Sequence, residues 1–243
     1  MQILKKTAIG SVAVTAIFVI FLAVFDWNLL RGYVGEKVTE KTGRAFSING
    51  DLDVDFFTFP PRIHAEKVRF ANAVWGTDST MLDIHRLDFS ISLLDLLKGH
   101  VVLPEVSLSG AQILLEKSAD GKRNWILGQN QQSVKTPRIE RLRVDQGVLI
   151  FRDPAINTDI TATISPASTV KDARQSGIKF DAEGKFKGLA FKANGQGGKI
   201  LSLLDTQTPY PLQGDMQFGA TRISVDGTIT GLRYNVFADL GAY

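Results

Sequence analysis

The chain has 243 residues, of which 44% are apolar and 22% are charged, an ordinary composition for a globular protein. Its 28 lysines and arginines nearly balance 25 aspartates and glutamates, and no dense basic patch indicates a nucleic-acid partner. The chain contains no cysteine, which excludes disulfides and thiol nucleophiles but does not identify the compartment.

An uncharged stretch of 19 residues, 7–25, lies near the N-terminus. As a helix it would cover about 28 Å, close to the hydrocarbon thickness of a bilayer. We therefore predict a transmembrane anchor over residues 7–27, with Trp27 at the membrane surface. A cleavable signal peptide is the alternative, but the apolar stretch is longer than usual and lacks a small-x-small cleavage site. Two lysines before the stretch predict that residues 1–6 are cytoplasmic and that the rest lies across the membrane.

An amphipathic juxtamembrane helix is predicted next, over residues 28–43. Leu30, Val34 and Val38 recur every four residues among polar neighbours, so they form one apolar stripe beside the membrane. Gly43 is a typical C-terminal stop because glycine readily adopts the left-handed conformation. We expect the stripe to pack on the strands that follow.

After residue 46 the hydrophobic period changes to two, which predicts a mainly β protein. We divide it into a β module, residues 44–127, an exposed loop, 128–137, and a continuing β segment, 138–243. A short helix over residues 93–98 has too many leucines for one stripe, so we expect a buried plug or cap. The predicted strands cover residues 47–57, 62–71, 81–92, 101–108, 112–117, 139–144, 147–152, 159–164, 178–186, 189–194, 212–218, 222–229 and 234–240.

The clearest alternation lies in the second half of the chain. Phe180, Ala182 and Phe186 point to one side and charged residues to the other, because successive strand side chains alternate. Leu189 and Phe191 continue the apolar side after a glycine. This pattern predicts an antiparallel sheet with a single apolar face. That face must be covered by a second sheet, by its own curvature or by an apolar ligand.

Motifs typical of catalysis or metal binding do not stand out. His64, His85 and His100 are far apart in the chain and have no metal-ligand spacing. No Gly-x-Ser-x-Gly elbow occurs, and the glycine-rich stretch 195–199 lacks the spacing of a phosphate loop, so we expect a strand-to-helix turn there. Acidic residues that alternate over 51–55 are expected to form a solvated face rather than an acid–base pair or a cation site. We therefore expect a protein that is not an enzyme and has no catalytic, cofactor or metal site.

Short motifs follow one another in a definite order between residues 27 and 127. They are Trp27-Asn28, Thr42-Gly43-Arg44, Ile48-Asn49-Gly50-Asp51-Leu52, Ala71-Asn72, Trp75-Gly76, the leucine-rich turn 93–99, Asp120-Gly121 and Asn124-Trp125. No motif is specific alone, but their order and spacing resemble the AsmA family of Gram-negative envelope proteins. Beyond residue 137 the resemblance is weaker.

The resemblance implies a single-pass protein of the bacterial inner membrane, with a cytoplasmic N-terminus and a periplasmic body. It implies a long, curved antiparallel β-sheet with short interrupting helices, whose open apolar groove holds phospholipid and moves it between the inner and outer membranes. The implied partners are phospholipid, the inner membrane and envelope proteins. On this basis the candidate groove residues are Phe180, Ala182, Phe186, Leu189 and Phe191.

Two other functions stay open. The first is an interaction protein that assists the targeting and assembly of outer-membrane proteins by pairing its sheet edges with other strands. The second is a closed two-sheet scaffold. A dozen strands spaced by about 4.8 Å span only about 60 Å, so we expect a fragment of a longer protein rather than a short member acting with partners.

Structural roles are expected for the remaining motif residues. Gly121 suits a hairpin turn. Trp75 and Trp125 are expected to be core or edge-covering aromatics. Asn72 and Asn124 are expected to hydrogen-bond the local backbone at strand ends.

Overall fold

The computed structural model describes residues 25–127, 137–167, 177–201 and 209–229. Within these ranges the protein is mainly β, as predicted. Its helices are two 3-10 helices, Trp27–Leu30 and Pro154–Ile156, and two α-helices, α1 (Arg31–Thr42) and α2 (Leu93–Leu97). Its strands are β1 (Phe46–Ile48), β2 (Leu52–Asp55), β3 (Arg62–Ala71), β4 (Thr80–Ser90), β5 (Val102–Leu103), β6 (Val106–Glu116), β7 (Arg138–Ile139), β8 (Leu142–Asp145), β9 (Gly147–Asp153), β10 (Thr158–Pro166), β11 (Ile178–Phe186), β12 (Leu189–Gly197), β13 (Tyr210–Phe218) and β14 (Thr221–Ile229).

Four predicted segments fall outside this description, wholly or except for one residue. They are the N-terminal residues 1–6, all but the last residue of the uncharged stretch 7–25, all but the last residue of the loop 128–137, and the strand over residues 234–240. None of the helices in the described ranges has the length and hydropathy needed to cross a bilayer.

Polar contacts tie the N-terminal helices to the first strands. The side chain of Asp26 caps the first 3-10 helix by accepting a hydrogen bond from the Asn28 backbone N–H at 3.0 Å. Asn28 Oδ1 in turn accepts from the Leu52 N–H at 2.9 Å. Arg31 Nη1 donates to the Gly50 carbonyl oxygen at 2.6 Å. The chain therefore enters α1 alongside β2.

The end of α1 and its apolar stripe agree with the sequence pattern. α1 ends at Thr42 because Gly43 adopts a left-handed conformation with φ 72°, which confirms the predicted stop. Leu30 lies in the preceding 3-10 helix and packs against the core. Val34 and Val38 lie in α1 and are half-buried.

Twelve of the described strands form one sheet. Its order is β1-β3-β4-β6-β9-β10-β11-β12-β13-β14, with β2 beside β3 and β8 beside β6, and β5 and β7 pair separately. The prediction of a purely antiparallel sheet is wrong, because β6 runs parallel to β8 and β9, and β5 runs parallel to β7. After β6 the chain re-enters the sheet at the end where β6 begins, and Arg138 N there donates to Val101 O at 2.9 Å. A strand that starts at the same end as its neighbour must run parallel to it.

The alternation of side chains is interrupted at the same level in neighbouring strands. We call this interruption the pleat step. Lys67 in β3, Gly110 in β6 and Gln146 between β8 and β9 have positive φ angles of 51°, 61° and 55°. Because of the step, Ala65 and Val68 are both buried although they are three residues apart. β6 therefore runs unbroken through Gly110, where the sequence predicted two separate strands.

The core lies on one side of the first strands. Trp27 and Leu30, from the first 3-10 helix, pack against it. Its buried apolar residues are Leu52, Ala65, Val68, Ile84 and Ala111. The N-terminal helices thus cover the apolar side of this part of the sheet.

Two local predictions are wrong. α2 is not a buried plug, since Leu94 is 64% and Leu97 is 86% exposed. It lies past the end of β4, where no described element packs over it. The predicted strand 47–57 is divided into β1 and β2.

The stretch 195–199 leads from a strand to helical residues, as predicted. β12 ends at Gly197, the chain bends at Gly198, and residues 200–201 are in 3-10 conformation. Gly195 itself is still inside β12, where a Cβ atom would lie 2.3 Å from the β13 backbone.

A cluster of buried polar side chains, the buried polar cluster, lies at the end of the first strands where β3 and β6 finish. Its centre is the carboxylate of Glu116, which is 2% exposed. Asn72 Nδ2 donates to this carboxylate at 2.6 Å and Thr77 N donates at 3.1 Å. Asn124 Nδ2 donates to Asn72 Oδ1 at 2.9 Å, and Asn124 Oδ1 accepts from the Glu116 N–H at 2.9 Å. Arg44 donates to the Asn124 carbonyl oxygen, so the chain after α1 is also held here.

The cluster both confirms and extends the sequence prediction. Asn72 Nδ2 donates to the Asp78 carbonyl oxygen at 3.0 Å and Asn124 Nδ2 to that of Leu114 at 2.8 Å, so both asparagines bond the backbone at strand ends as predicted. The sequence did not indicate Glu116. Burial also lowers the pKa of the Arg44 guanidinium.

We predict that Asn124→Ala strongly destabilises the fold. The change leaves the Glu116 N–H and the Leu114 carbonyl without their side-chain partner, and each buried unsatisfied group costs about 1–3 kcal/mol. Urea unfolding of the full chain in detergent should therefore show a loss of at least about 2 kcal/mol. The matched control is Asn194→Ala on an exposed position of β12, which should change stability by less than about 0.5 kcal/mol. Equal losses would contradict the role of the cluster.

A second prediction concerns the pleat step. Gly110→Ala should lower the free energy of unfolding by about 1–2 kcal/mol, because an L side chain is disfavoured at positive φ. The new Cβ would also lie 3.0 Å from the Cβ of His85. Gly227→Ala is the control, because β14 has open space at that position and no positive φ. The same urea titration measures both variants, and an unchanged Gly110→Ala midpoint would show that the step is not strained by a side chain.

Candidate functional site

One side of the second half of the sheet is apolar across six strands, β9 to β14. Alternate residues of a strand share a face, and directly opposite residues on neighbouring strands point the same way. The register pairs Ala162 with Ala182 and Ala182 with Ala193. The same row of opposite residues extends from Ala162 to Leu149 in β9 and from Ala193 to Ile223 in β14. We name this surface the apolar face; it is formed by Leu149, Phe151, Ile160, Ala162, Ile164, Phe180, Ala182, Phe186, Leu189, Phe191, Ala193, Leu212, Met216, Phe218, Ile223 and Val225.

The apolar face is largely uncovered in the part of the chain that the structure describes. Leu189 is 56% and Ile223 is 43% exposed, and most of the other large side chains are half-buried. Within the described ranges, neither a helix nor a second sheet packs over β11 to β14. Contiguous exposed apolar surface of this kind is typical of an interaction or ligand site.

Three phenylalanines form a cluster at one margin of the face. The ring centroids of Phe186 and Phe218 are 5.7 Å apart, and those of Phe191 and Phe218 are 5.1 Å apart. These separations lie within the range of favourable aromatic contacts. The cluster stands where the β11–β12 and β13–β14 turns meet, so it forms a raised aromatic edge.

Small residues occupy the middle of the face. In β11, Ala182 and Gly184 separate Phe180 from Phe186. The row of small side chains continues across the sheet through Ala162 in β10. The middle of the face is therefore lower than its margins, which leaves a shallow trough that runs across the strands.

Tyr210 borders the trough at the end of β13 away from the phenylalanine cluster. Its side chain is 3% exposed, and its hydroxyl donates a hydrogen bond to the Gly198 carbonyl oxygen at 3.0 Å. A Cβ atom on Gly197 would lie 2.5 Å from this hydroxyl oxygen, so the glycine makes room for the ring. Burial raises the pKa of Tyr210, which keeps the phenol neutral.

The opposite side of the sheet is polar over β10 to β14. Across β12 and β13, Gln196 Nε2 donates to Gln213 Oε1 at 2.7 Å. The predicted alternation of β11 is confirmed, since its outward side chains are the exposed Lys179, Asp181, Glu183 and Lys185. These strands thus have one polar, solvent-exposed side and one apolar side.

The structure brings together all five residues that the sequence singled out for the groove. They lie on β11 and β12 of the apolar face: Phe180, Ala182, Phe186, Leu189 and Phe191. Their role in holding lipid stays a prediction. The contributions of β9, β10, β13 and β14 were not singled out, although the same alternation of apolar and polar residues marks them.

Metal-site geometry is absent from the described ranges, in which no group of three or more His, Asp or Glu side chains is arranged to hold an ion. His64 lies beside Asp88 and Glu66 on the polar side of β3 and β4. His85 and His100 are exposed elsewhere.

The remaining motif residues lie near the buried polar cluster. The Trp125 ring is 6.4 Å from that of Phe151, so it covers the edge of the apolar face as an edge-covering aromatic. Trp75 is 37% exposed on the loop between β3 and β4. Gly121 has φ 83°, which agrees with the predicted turn.

Comparison with known proteins places the chain in a family. The model of the AsmA family matches residues 3–231. The AsmA family protein YhjG of Escherichia coli (strain K12) is 26% identical over 246 aligned positions, which cover 87% of this chain and 36% of YhjG. The chain therefore spans little more than a third of that relative's length. No solved structure matches it.

The match extends well beyond the motifs between residues 27 and 127 and includes the whole apolar face. Membership suggests a function associated with the cell envelope. Because the family match covers nearly the whole sequence, the chain belongs to the AsmA family.

Proposed function

We propose that the protein binds phospholipid on its apolar face and contributes to lipid transport between the inner and outer membranes. The observation that carries this proposal is the half-exposed apolar face of β9 to β14, whose opposite side is polar over β10 to β14. Acyl chains would lie in the trough between Phe180 and Phe186 while the head groups stay in water. This mechanism needs no catalytic residue.

The dimensions of the face suit an acyl chain. The row of small residues, Ala162, Ala182 and Ala193, crosses three strands, β10 to β12, which at about 4.8 Å per strand gives a length of about 14 Å. The hydrocarbon core of a bilayer is about 30 Å thick and two chains deep, so one chain needs about 15 Å. An acyl chain therefore fits along the row of small residues.

The proposed location follows from the sequence. Residues 7–25 would anchor the chain in the inner membrane, with residues 1–6 in the cytoplasm and the described body in the periplasm. A lipid-binding face held next to a bilayer can exchange lipid with it.

A second candidate function is strand pairing with other envelope proteins during outer-membrane assembly. One observation favours it: among the described strands, β14 has a neighbour on one side only. An unpaired strand edge is a ready template for another strand. On this alternative the edge, not the apolar face, would contact the partner.

We predict that a photo-crosslinker on the apolar face captures lipid. p-Benzoylphenylalanine in place of Phe180 should give phospholipid adducts by mass spectrometry, because the trough would bring acyl chains to this ring. The control is the same crosslinker in place of Lys192, which lies on β12 and faces the charged side. Equal lipid yields at the two positions, or none at Phe180, would contradict lipid binding. Protein adducts from a crosslinker in place of Arg222 on β14, without lipid at Phe180, would favour strand pairing.

Substitution gives an independent check of the same face. Phe191→Asp should severalfold reduce the phospholipid that co-purifies with the protein, since a carboxylate at the margin of the trough would disfavour contact with acyl chains. Lys192→Asp changes the neighbouring outward residue and should retain the lipid. Circular dichroism of both variants ensures that only folded protein is compared. A folded Phe191→Asp protein with its full lipid content would count against the proposal.

A further inference from the structure

A second apolar surface lies at the end of the sheet opposite the buried polar cluster. Phe57 and Phe59, on the loop between β2 and β3, are 71% and 85% exposed. Leu94 and Leu97 of α2 are also exposed, as noted above. These four residues belong to neither the core nor the apolar face. We name them the end patch.

The two segments of the end patch are neighbours. The first residue of β3 pairs with the last residue of β4, so the loop before β3 and the helix after β4 leave the sheet at the same end. Ile91 N also donates to the Pro61 carbonyl oxygen at 3.2 Å, which joins the two segments directly. The aromatic loop and the leucine-rich helix thus form one exposed surface.

The N-terminal segment reaches this same end. Going back along the chain, Arg31 contacts Gly50 and Asn28 contacts Leu52, as described above. The Trp27 ring then lies 5.1 Å from that of Phe56, and Phe25 lies 4.8 Å from Trp27. Phe25 is the last residue of the uncharged stretch, so that stretch joins the body beside the end patch.

We propose that the end patch inserts into the surface of the bilayer that holds the anchor. Tryptophan favours the membrane interface, and Trp27 stands between the uncharged stretch and the loop. Exposed aromatic and leucine side chains next to a basic residue, here Lys98, are typical of segments that lie in the interface. The patch gives the body a second attachment besides the anchor, so the sheet meets the bilayer at a defined end. The inference rests on the proposed anchor.

Site-specific fluorescence tests this inference. Because the natural chain has no cysteine, Phe59→Cys, Leu97→Cys and Val74→Cys each provide one labelling site. Val74 is the matched control: it is apolar and fully exposed, and the ten residues of β3 place it about 33 Å from the patch. Each full-length variant is labelled with the fluorophore NBD and reconstituted in phosphatidylethanolamine–phosphatidylglycerol vesicles.

We expect labels at positions 59 and 97 to shift to shorter emission wavelength and to be protected severalfold from iodide relative to the label at position 74. Phospholipids with a spin label high on the acyl chain should quench them, because interfacial side chains reach about 5–10 Å below the surface. At position 74 iodide should quench and the lipid spin label should not.

Three outcomes would overturn the inference. Equal iodide quenching at all three sites, in protein that floats with the vesicles, would reject the end patch while leaving the anchor intact. Protein that does not float would reject both the anchor and the patch. A blue shift that depends on the protein-to-lipid ratio, without quenching by lipid spin labels, would assign the patch to a second copy of the chain.

Discussion

A sheet with one apolar side must have that side covered, and this requirement shapes the whole protein. Burying a large apolar side chain contributes about 1.5–3 kcal/mol relative to leaving it in water. The first strands meet the requirement with Trp27 and Leu30 of the N-terminal segment. Over β11 to β14 no described helix or second sheet does so. The uncovered part carries a free-energy cost that an apolar ligand would remove, which is why function is assigned to this face.

Strand β6 joins the covered and uncovered parts. It pairs antiparallel with β4 and parallel with β9, and Ile113 lies opposite both Leu82 and Leu149. Apolar side chains therefore stay on the same side of the sheet across the change in strand direction. β6 also ends at Glu116, so the strand that connects the halves is itself held in place by the buried polar cluster.

The two ends of the first strands have opposite chemistry. At one end, the carboxylate of Glu116 and its amide partners are sealed from water. At the other end, Phe59 and Leu97 are exposed beside the point where the N-terminal segment arrives. On the proposed attachment, this difference between the two ends would orient the body with respect to the membrane in a way that a flexible tether would not. The anchor and the end patch together would place the start of the sheet at the source of lipid.

The sequence by itself determined the features that depend on neighbouring residues. Alternation over β11 separated Phe180 and Phe186 from the charged side, and Gly43 ended α1, because pleat and helix cap are local properties. Only the tertiary structure decided the rest. The contacts of Glu116 join residues 44 positions apart, and the parallel β6–β9 pair depends on where the chain re-enters the sheet. The exposure of the α2 leucines depends on what lies beside them. Local periodicity encodes which side of a strand is apolar, but not which other segment, if any, will cover it.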